Sequence, residues 1–168
     1  MGKIIIKKGD ITLEEVDVIV NAANTRLAGG GGVDGAIHAS AGSSVMEECR
    51  KIGGCKTGEV VITNAGDLKV RKIIHTPGPV WHGGNSGEKE FLRNCYKNSL
   101  EIAEKKGFKS IAFPAISAGI YRYPINKAAE VAISEGLKFV DKFNEIIYVC
   151  FSEQDRKVYE EVYDRVVK

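Results

Sequence analysis

The residues whose types and spacing point most directly to chemistry lie in two short stretches. In the first, five of the seven positions from Gly29 to Gly35 are glycine, preceded by Asn21-Ala22-Ala23-Asn24 and interrupted only by Val33-Asp34. Glycine-rich backbone that feeds a helix lets successive N–H groups converge. The helix N-terminus adds the positive end of its dipole, so the two together cradle a phosphate without Lys or Arg. A mobile surface loop would account for the glycines but not for their NAAN and VDG neighbours. In the second stretch, Pro114 to Tyr123 reads as a loop of small residues, in which Ala118-Gly119 beside Ser117 removes bulk where a ligand would approach.

Two familiar phosphate motifs fit poorly. Gly30-x-Gly32-x-x-Gly35 has the spacing of the dinucleotide fingerprint, but that motif follows its strand directly, and here eight residues, Ala22 to Gly29, intervene. The segment Gly53 to Gly58, GGCKTG, has Cys55 rather than Gly before Lys56 and leads into a strand, which excludes a P-loop. The four cysteines, Cys49, Cys55, Cys95 and Cys150, contain no Cys-x-x-Cys pair, and no His stands at zinc-finger spacing. Scattered reduced thiols are expected, with no metal site.

The elements that must position these stretches alternate. Lys3 to Lys8 and Asp17 to Val20 read as strands, rich in β-branched residues. A short helix follows from Val33 (VDGAIHASAG), and a second, SSVMEECRKI, follows Gly42 with Ser43 or Ser44 as N-cap. Gly58 to Thr63 and Arg71 to His75 are strands, the latter closed by the turn-rich Thr76-Pro77-Gly78-Pro79. Glu88 to Lys106 has helical apolar spacing and stops at Gly107. Then come the strand Ser110 to Phe113, a helix opened by Pro124 and running to about Val140, the strand Glu145 to Phe151, and a terminal helix opened by Ser152 with Asp155 three residues on. The order β-β-α-α-β-β-α-β-α-β-α argues an α/β fold with a largely parallel sheet covered on both faces. In such sheets ligands bind beyond the carboxyl ends of the strands, where the two anomalous loops belong.

Length and composition are consistent with one ordinary globular domain over residues 1–168: 43% hydrophobic, 27% charged, with no repeat and no linker. Lys and Arg number 24 against 22 for Asp and Glu, with the signs interspersed. Bulk electrostatics therefore gives no strong signal for nucleic acid or an anionic membrane, and any anion must be recognised locally. The N-terminal MGKIIIKKGD has only three consecutive apolar residues, and nothing approaches the ~18 of a membrane span. A cytoplasmic protein, monomeric and without membrane contact, is the expectation.

Five blocks in order now carry a resemblance: Gly9-Asp10-Ile11-Thr12, VDVIVNAAN (Val16 to Asn24), GGGGVDGAIH (Gly29 to His38), IIHTPGP (Ile73 to Pro79) and SIAFPAISAGIYRYP (Ser110 to Pro124). Over essentially the whole chain the sequence resembles the macro domain, and more narrowly the MacroD-like mono-ADP-ribosylhydrolases. The resemblance implies a three-layer α/β/α macro-domain fold with a mixed, largely parallel central sheet. It implies ADP-ribose or an ADP-ribosylated protein as partner, and no cofactor and no metal. It places Asp10 and Ile11 at the adenine, where Asp10 read alone is only a turn former. Phe151 is either an aromatic against the adenine face or a core residue of the last strand. The diphosphate is assigned to backbone N–H groups of Gly30, Gly31, Gly32 and Val33 and of Ser117, Ala118, Gly119, Ile120 and Tyr121, with the Ser117 hydroxyl as a further donor and the Tyr121 ring beside the distal ribose.

For catalysis the resemblance assigns Asn24 to the distal ribose and Asp34 to the attacking water; His38, one turn beyond Asp34, either supports it or is structural. Two residues depart from the pattern: Arg122 where many hydrolases have Gly, and Pro77 where they have Val. The implied activity is removal of mono-ADP-ribose from acidic side chains, with deacetylation of O-acetyl-ADP-ribose at the same site. A non-catalytic ADP-ribose reader and a phosphatase acting on an ADP-ribose phosphate monoester are the alternatives.

Overall fold

The computed structural model of the chain describes residues 2–168. Six strands, β1 (Lys3–Lys8), β2 (Val18–Ala23), β3 (Val61–Thr63), β4 (Lys72–Pro77), β5 (Ser110–Phe113) and β6 (Glu145–Cys150), form one sheet in the order β1-β6-β5-β2-β4-β3. All neighbouring pairs are parallel except β3 with β4, which are antiparallel. Five helices accompany them: α1 (Gly32–Ala41), α2 (Ser43–Ile52), α3 (Glu88–Lys105), α4 (Ile125–Phe139) and α5 (Glu153–Val167). The element order read from the sequence is the one observed, and short 3-10 turns at Ile11–Leu13 and Val140–Lys142 are added to it.

Side chains on a strand alternate between faces, and here each face has its own core. Val18 and Val20 of β2, Ile74 of β4 and Ile111 and Phe113 of β5 pack with Leu92, Tyr96 and Leu100 of α3, Ala128 and Ala132 of α4 and Tyr159 of α5. Ile19, Ile73, Ala112 and Ile147, one position out of phase, pack with Ile37 of α1 and Val45 and Cys49 of α2. The result is the three-layer α/β/α arrangement with a mixed sheet.

Several boundaries differ from the sequence reading, among them the end of β6, at Cys150 and not Phe151. β2 continues to Ala23 instead of ending at Val20, because Asn21 pairs in register with His75 of β4 and is fully buried. β4 likewise runs on to Pro77, so Pro77 ends a strand and is not part of the turn; its carbonyl accepts from Gly58 N at 2.9 Å and from Cys95 Sγ at 3.3 Å. β3 is shorter than expected, starting at Val61. Pro124 precedes α4 as its N-cap, and α4 begins at Ile125. The N-cap of α5 is as expected, with Ser152 Oγ accepting from Asp155 N at 3.1 Å. All four cysteines are buried free thiols. No described helix is long and apolar enough to cross a membrane.

Candidate functional site

A cleft of about 720 Å³ opens beyond the carboxyl ends of β2, β5 and β6, within the ~300–1,000 Å³ usual for small-molecule sites. Every residue that the resemblance assigned to the ligand or to the attacking water lines it: Asp10 and Ile11, Asn24, Gly30 to Asp34, Ser117 to Tyr121, and Phe151. Gly9, Gly78, Pro114, Ala115, Val149 and Asp155 line it too and were not anticipated.

The first wall is the chain from β2 into α1. Asn24 holds it in shape. Its Nδ2 donates to Gly29 O at 2.7 Å, and its Oδ1 accepts from Arg26 N and Ala28 N, both at 3.1 Å. The Asn24 amide thus has a single N–H left for a ligand, and most of its bonding shapes the loop. Leu27, buried within that loop, takes a left-handed φ of 55° that a branched side chain adopts only when its surroundings impose it. Gly35 is required on steric grounds. A β-carbon there would stand 2.4 Å from Gly30 O, so only glycine lets the loop pack onto the first turn of α1. The N-cap of α1 is Gly31, which has no side-chain oxygen to occupy the first N–H groups. Those of Gly32, Val33 and Asp34 remain free to meet an anion.

Asp34 stands in that first turn, 7% exposed. Its Oδ1 accepts from Asn21 Nδ2 at 2.8 Å and lies 3.4 Å from His38 Nε2, one turn on. Its Oδ2 is on the Gly30 side and has no hydrogen-bond partner among the described residues. Asn21 Nδ2 also lies 3.1 Å from His75 Nδ1, and His75 Nε2 lies 2.9 Å from Thr63 Oγ1. Burial, and then the neighbouring His38, push the His75 pKa down to about 4 against the opposing pull of Glu48. Sequence reasoning passed over Asn21, His75 and Thr63. Polar residues inside apolar strand runs were the available signal, since a buried polar side chain requires partners.

The second wall is the loop after β5. Tyr96 of α3 threads it, donating from its hydroxyl to Pro114 O at 3.3 Å and accepting from Ile116 N at 3.2 Å. Ser117 and Arg122 both have left-handed φ values, 66° and 63°. The loop closes on itself through Tyr123 N to Ser117 O at 2.9 Å and Arg122 N to Gly119 O at 3.0 Å, and Trp81 N donates to Tyr121 O at 2.8 Å. Among the described residues the N–H groups of Ser117, Gly119, Ile120 and Tyr121 have no protein acceptor, whereas Ala118 N bonds Ala115 O at 3.3 Å. Ser117 Oγ is buried without a partner, and a β-carbon on Gly78 would come within 2.1 Å of it. Gly78 is therefore what allows the chain leaving β4 to pass beneath this loop.

At the far end of the cleft, Asp10 Oδ1 accepts from Thr12 N at 2.9 Å and Thr12 Oγ1 at 2.6 Å, capping the 3-10 turn. Its Oδ2 is left over among the described residues. Phe151 is 85% exposed just beyond β6. That rules out the alternative of a core residue and leaves its ring as part of the rim. Ile120 on the opposite loop is 77% exposed. One trio among the described residues, His38, Cys49 and His75, offers metal-ligand atoms within 4.8 Å of one another. Both ring nitrogens of His75 are already engaged, and burial, then Asp34 and Glu48, push the Cys49 thiol up to about 11. Those donors suit a hydrogen-bond network better than a cation.

Comparison with known proteins agrees with this geometry. The family described as Macro domain matches residues 20–132. A Klebsiella pneumoniae protein named O-acetyl-ADP-ribose deacetylase is 50% identical over 158 residues, which cover 90% of each chain. The structure of an Oceanobacillus iheyensis macrodomain with ADP superposes with a TM-score of 0.91 at 43% identity, covering 95% of this chain and 89% of that one. A Trypanosoma brucei macrodomain in complex with ADP-ribose superposes with a TM-score of 0.89 at 41% identity, covering 94% of this chain and 68% of that one.

Proposed function

The chain belongs to the macro domain family, and from that premise and its cleft we propose that it binds ADP-ribose and hydrolyses acyl esters carried on the distal ribose. The substrates are O-acetyl-ADP-ribose and mono-ADP-ribose joined to acidic protein side chains. Adenine lies at the Asp10 end, with Asp10 Oδ2 accepting from its amino group and the Phe151 ring over its face. The diphosphate lies between the walls, on the free N–H groups of Gly32, Val33, Ser117, Gly119 and Ile120. The distal ribose and its ester then reach Asn24, Asp34 and Tyr121.

One observation carries the hydrolase reading over a reader that only binds. A cleft built solely to hold a dianion needs the N–H cradle, but a buried carboxylate beside that dianion opposes binding. Asp34 is such a carboxylate, with Oδ1 tied to Asn21 and Oδ2 free toward Gly30. Its placement suits the holding of a water through Oδ2. The water adds to the acyl carbon and the ester C–O bond breaks, yielding the free acid and the ribose hydroxyl. Where the ester joins a protein side chain to the anomeric carbon, that carbon is a second point of attack, and the same carboxylate orients water toward it. The adjacent N–H groups meet negative charge as it develops.

The test is to incubate the wild-type protein and Asp34→Ala with O-acetyl-ADP-ribose, and separately with a protein mono-ADP-ribosylated on glutamate. Product release is followed alongside calorimetric binding of ADP-ribose. Wild type releases product, whereas Asp34→Ala loses release and binds ADP-ribose at least as tightly. Tight binding without release by the wild type overturns the hydrolase and leaves a reader.

A further inference from the structure

Thr63, His75 and Asn21 project from the same face of three adjacent strands, β3, β4 and β2, toward α1, and the hydrogen bonds along them run in one direction only. Thr63 Oγ1 donates its single proton to Asn64 O at 2.9 Å, so it accepts from His75 Nε2 at 2.9 Å. With that proton committed to Asn64 O, the contacts are all satisfied when the His75 proton sits on Nε2 and Nδ1 is an acceptor. Asn21 Nδ2 supplies both remaining bonds, one N–H to His75 Nδ1 at 3.1 Å and the other to Asp34 Oδ1 at 2.8 Å. The amide cannot turn over, because its oxygen would then face a carboxylate oxygen and an unprotonated ring nitrogen. Asn21 Oδ1 is left buried with no partner, a cost the site accepts in order to keep Nδ2 where it is.

We propose that His75 is a positioning residue for ester hydrolysis: its unprotonated Nδ1 locks the Asn21 amide so that Asp34 is gripped by Oδ1 alone and presents Oδ2 to the water. This rests on the hydrolase reading above. The groups facing His75 are His38 of α1, Glu48 and Cys49 of α2, and Thr63 and Asn21 of the sheet, with Asp34 beyond the Asn21 amide. The His38 ring stacks on it with centroids 5.9 Å apart. Protonation of Nδ1 reverses the bond to Asn21, and the amide can then satisfy His75 or Asp34 but not both. Burial of the ring holds it neutral above about pH 4, so the grip persists across the physiological range.

The experiment has two arms. In the first, ¹⁵N–¹H correlation of the imidazole ring in the wild-type protein reads the tautomer between pH 5.5 and 8. A proton on Nε2 throughout is expected, and a proton on Nδ1 overturns the proposal whether or not the protein cleaves esters. In the second, kcat and KM for O-acetyl-ADP-ribose are measured for His75→Phe, which fills the space without an acceptor, and His75→Asn, which restores an acceptor near Nδ1. His75→Phe is expected to lower kcat about 10- to 100-fold, as for a misplaced catalytic group, with KM and ADP-ribose affinity little changed, and His75→Asn to recover part of the loss.

In an Asp34→Ala background, adding His75→Phe is expected to cost nothing further in residual rate. An equal loss in both backgrounds, or a loss that falls on KM, overturns the positioning role. Should His75→Phe not fold, His75→Asn against Thr63→Val, which removes the Nε2 acceptor, makes the same comparison. Intact ADP-ribose binding without turnover by the wild type defeats the hydrolase reading separately.

Discussion

Among single residues, the cleft gives two roles to groups that a sequence shows only as turn formers. Asp10 caps a 3-10 turn with one oxygen and has the other to spare. If that spare oxygen meets the adenine amino group, Asp10→Ala weakens ADP-ribose binding by about 1–3 kcal/mol, the cost of deleting a charged hydrogen-bond partner. Calorimetry checks this, with Thr12→Val as the control that disturbs the cap and leaves Oδ2 in place; unchanged affinity in Asp10→Ala removes adenine from this end. Asn24 is less free than its position suggests, since three bonds within its own loop leave one amide hydrogen for a ligand. Asn24→Ala accordingly disturbs the path from β2 to α1 as well as any contact with ribose. The two loops around the cleft were legible because glycine and small polar residues cluster where an α/β sheet exposes strand ends, whereas the individual residues came from the resemblance to the macro domain. Phe151 was legible only as a choice between two fates, which the end of β6 at Cys150 decides.

Among the elements, the walls are held by contacts that no local pattern announces. Gly35 and Gly78 are required by close approach, at positions where a β-carbon would stand 2.4 Å from Gly30 O and 2.1 Å from Ser117 Oγ. Gly35→Ala meets backbone, which cannot rotate away. It is expected to lower stability by ~1–3 kcal/mol and to weaken ADP-ribose binding, as read by chemical denaturation and calorimetry. A variant that matches wild type in both measurements shows that the loop moves aside freely. The extension of β2 through Asn21 was hidden because a polar residue after an apolar run reads as a strand end, whereas here the strand register sets Asn21 against His75 of β4, which its amide nitrogen meets. The same holds for Pro77. A proline near Gly reads as turn, yet this one needs no N–H in the ladder and ends a strand whose carbonyl is used by Gly58 and Cys95.

Over the molecule as a whole, two buried ionisable groups shape the response to acid. The Glu88 carboxylate, 1% exposed, ties down the segment before α3. Burial acts to raise its pKa, but hydrogen bonds from His82, Glu88, Gly84 and Ser86 outweigh it and bring the value to about 2. Its contribution to stability is present above the unfolded value of ~4.3 and is lost as pH falls through 2. His75, neutral in the fold down to about pH 4, acts over a higher window. The unfolded chain protonates it below ~6.5, so stability falls by roughly 3 kcal/mol between there and pH 4. Thermal unfolding of the wild type should therefore show a Tm that declines from pH 6.5 to 4. His75→Asn should decline less over that window, while Glu88→Gln should differ from wild type mainly at higher pH and converge on it toward pH 2. Equal slopes for wild type and His75→Asn would place the acid sensitivity elsewhere.

The order of elements and the two loops at the strand ends were written locally in the chain. They follow from short-range periodicity and from glycine and proline. That Asn21 and His75, 54 residues apart, meet beneath Asp34 was settled by folding alone. Which polar side chains face one another across parallel strands depends on register. Register is set by the packing of both sheet faces against helices from all parts of the chain, not by the residues beside them in sequence.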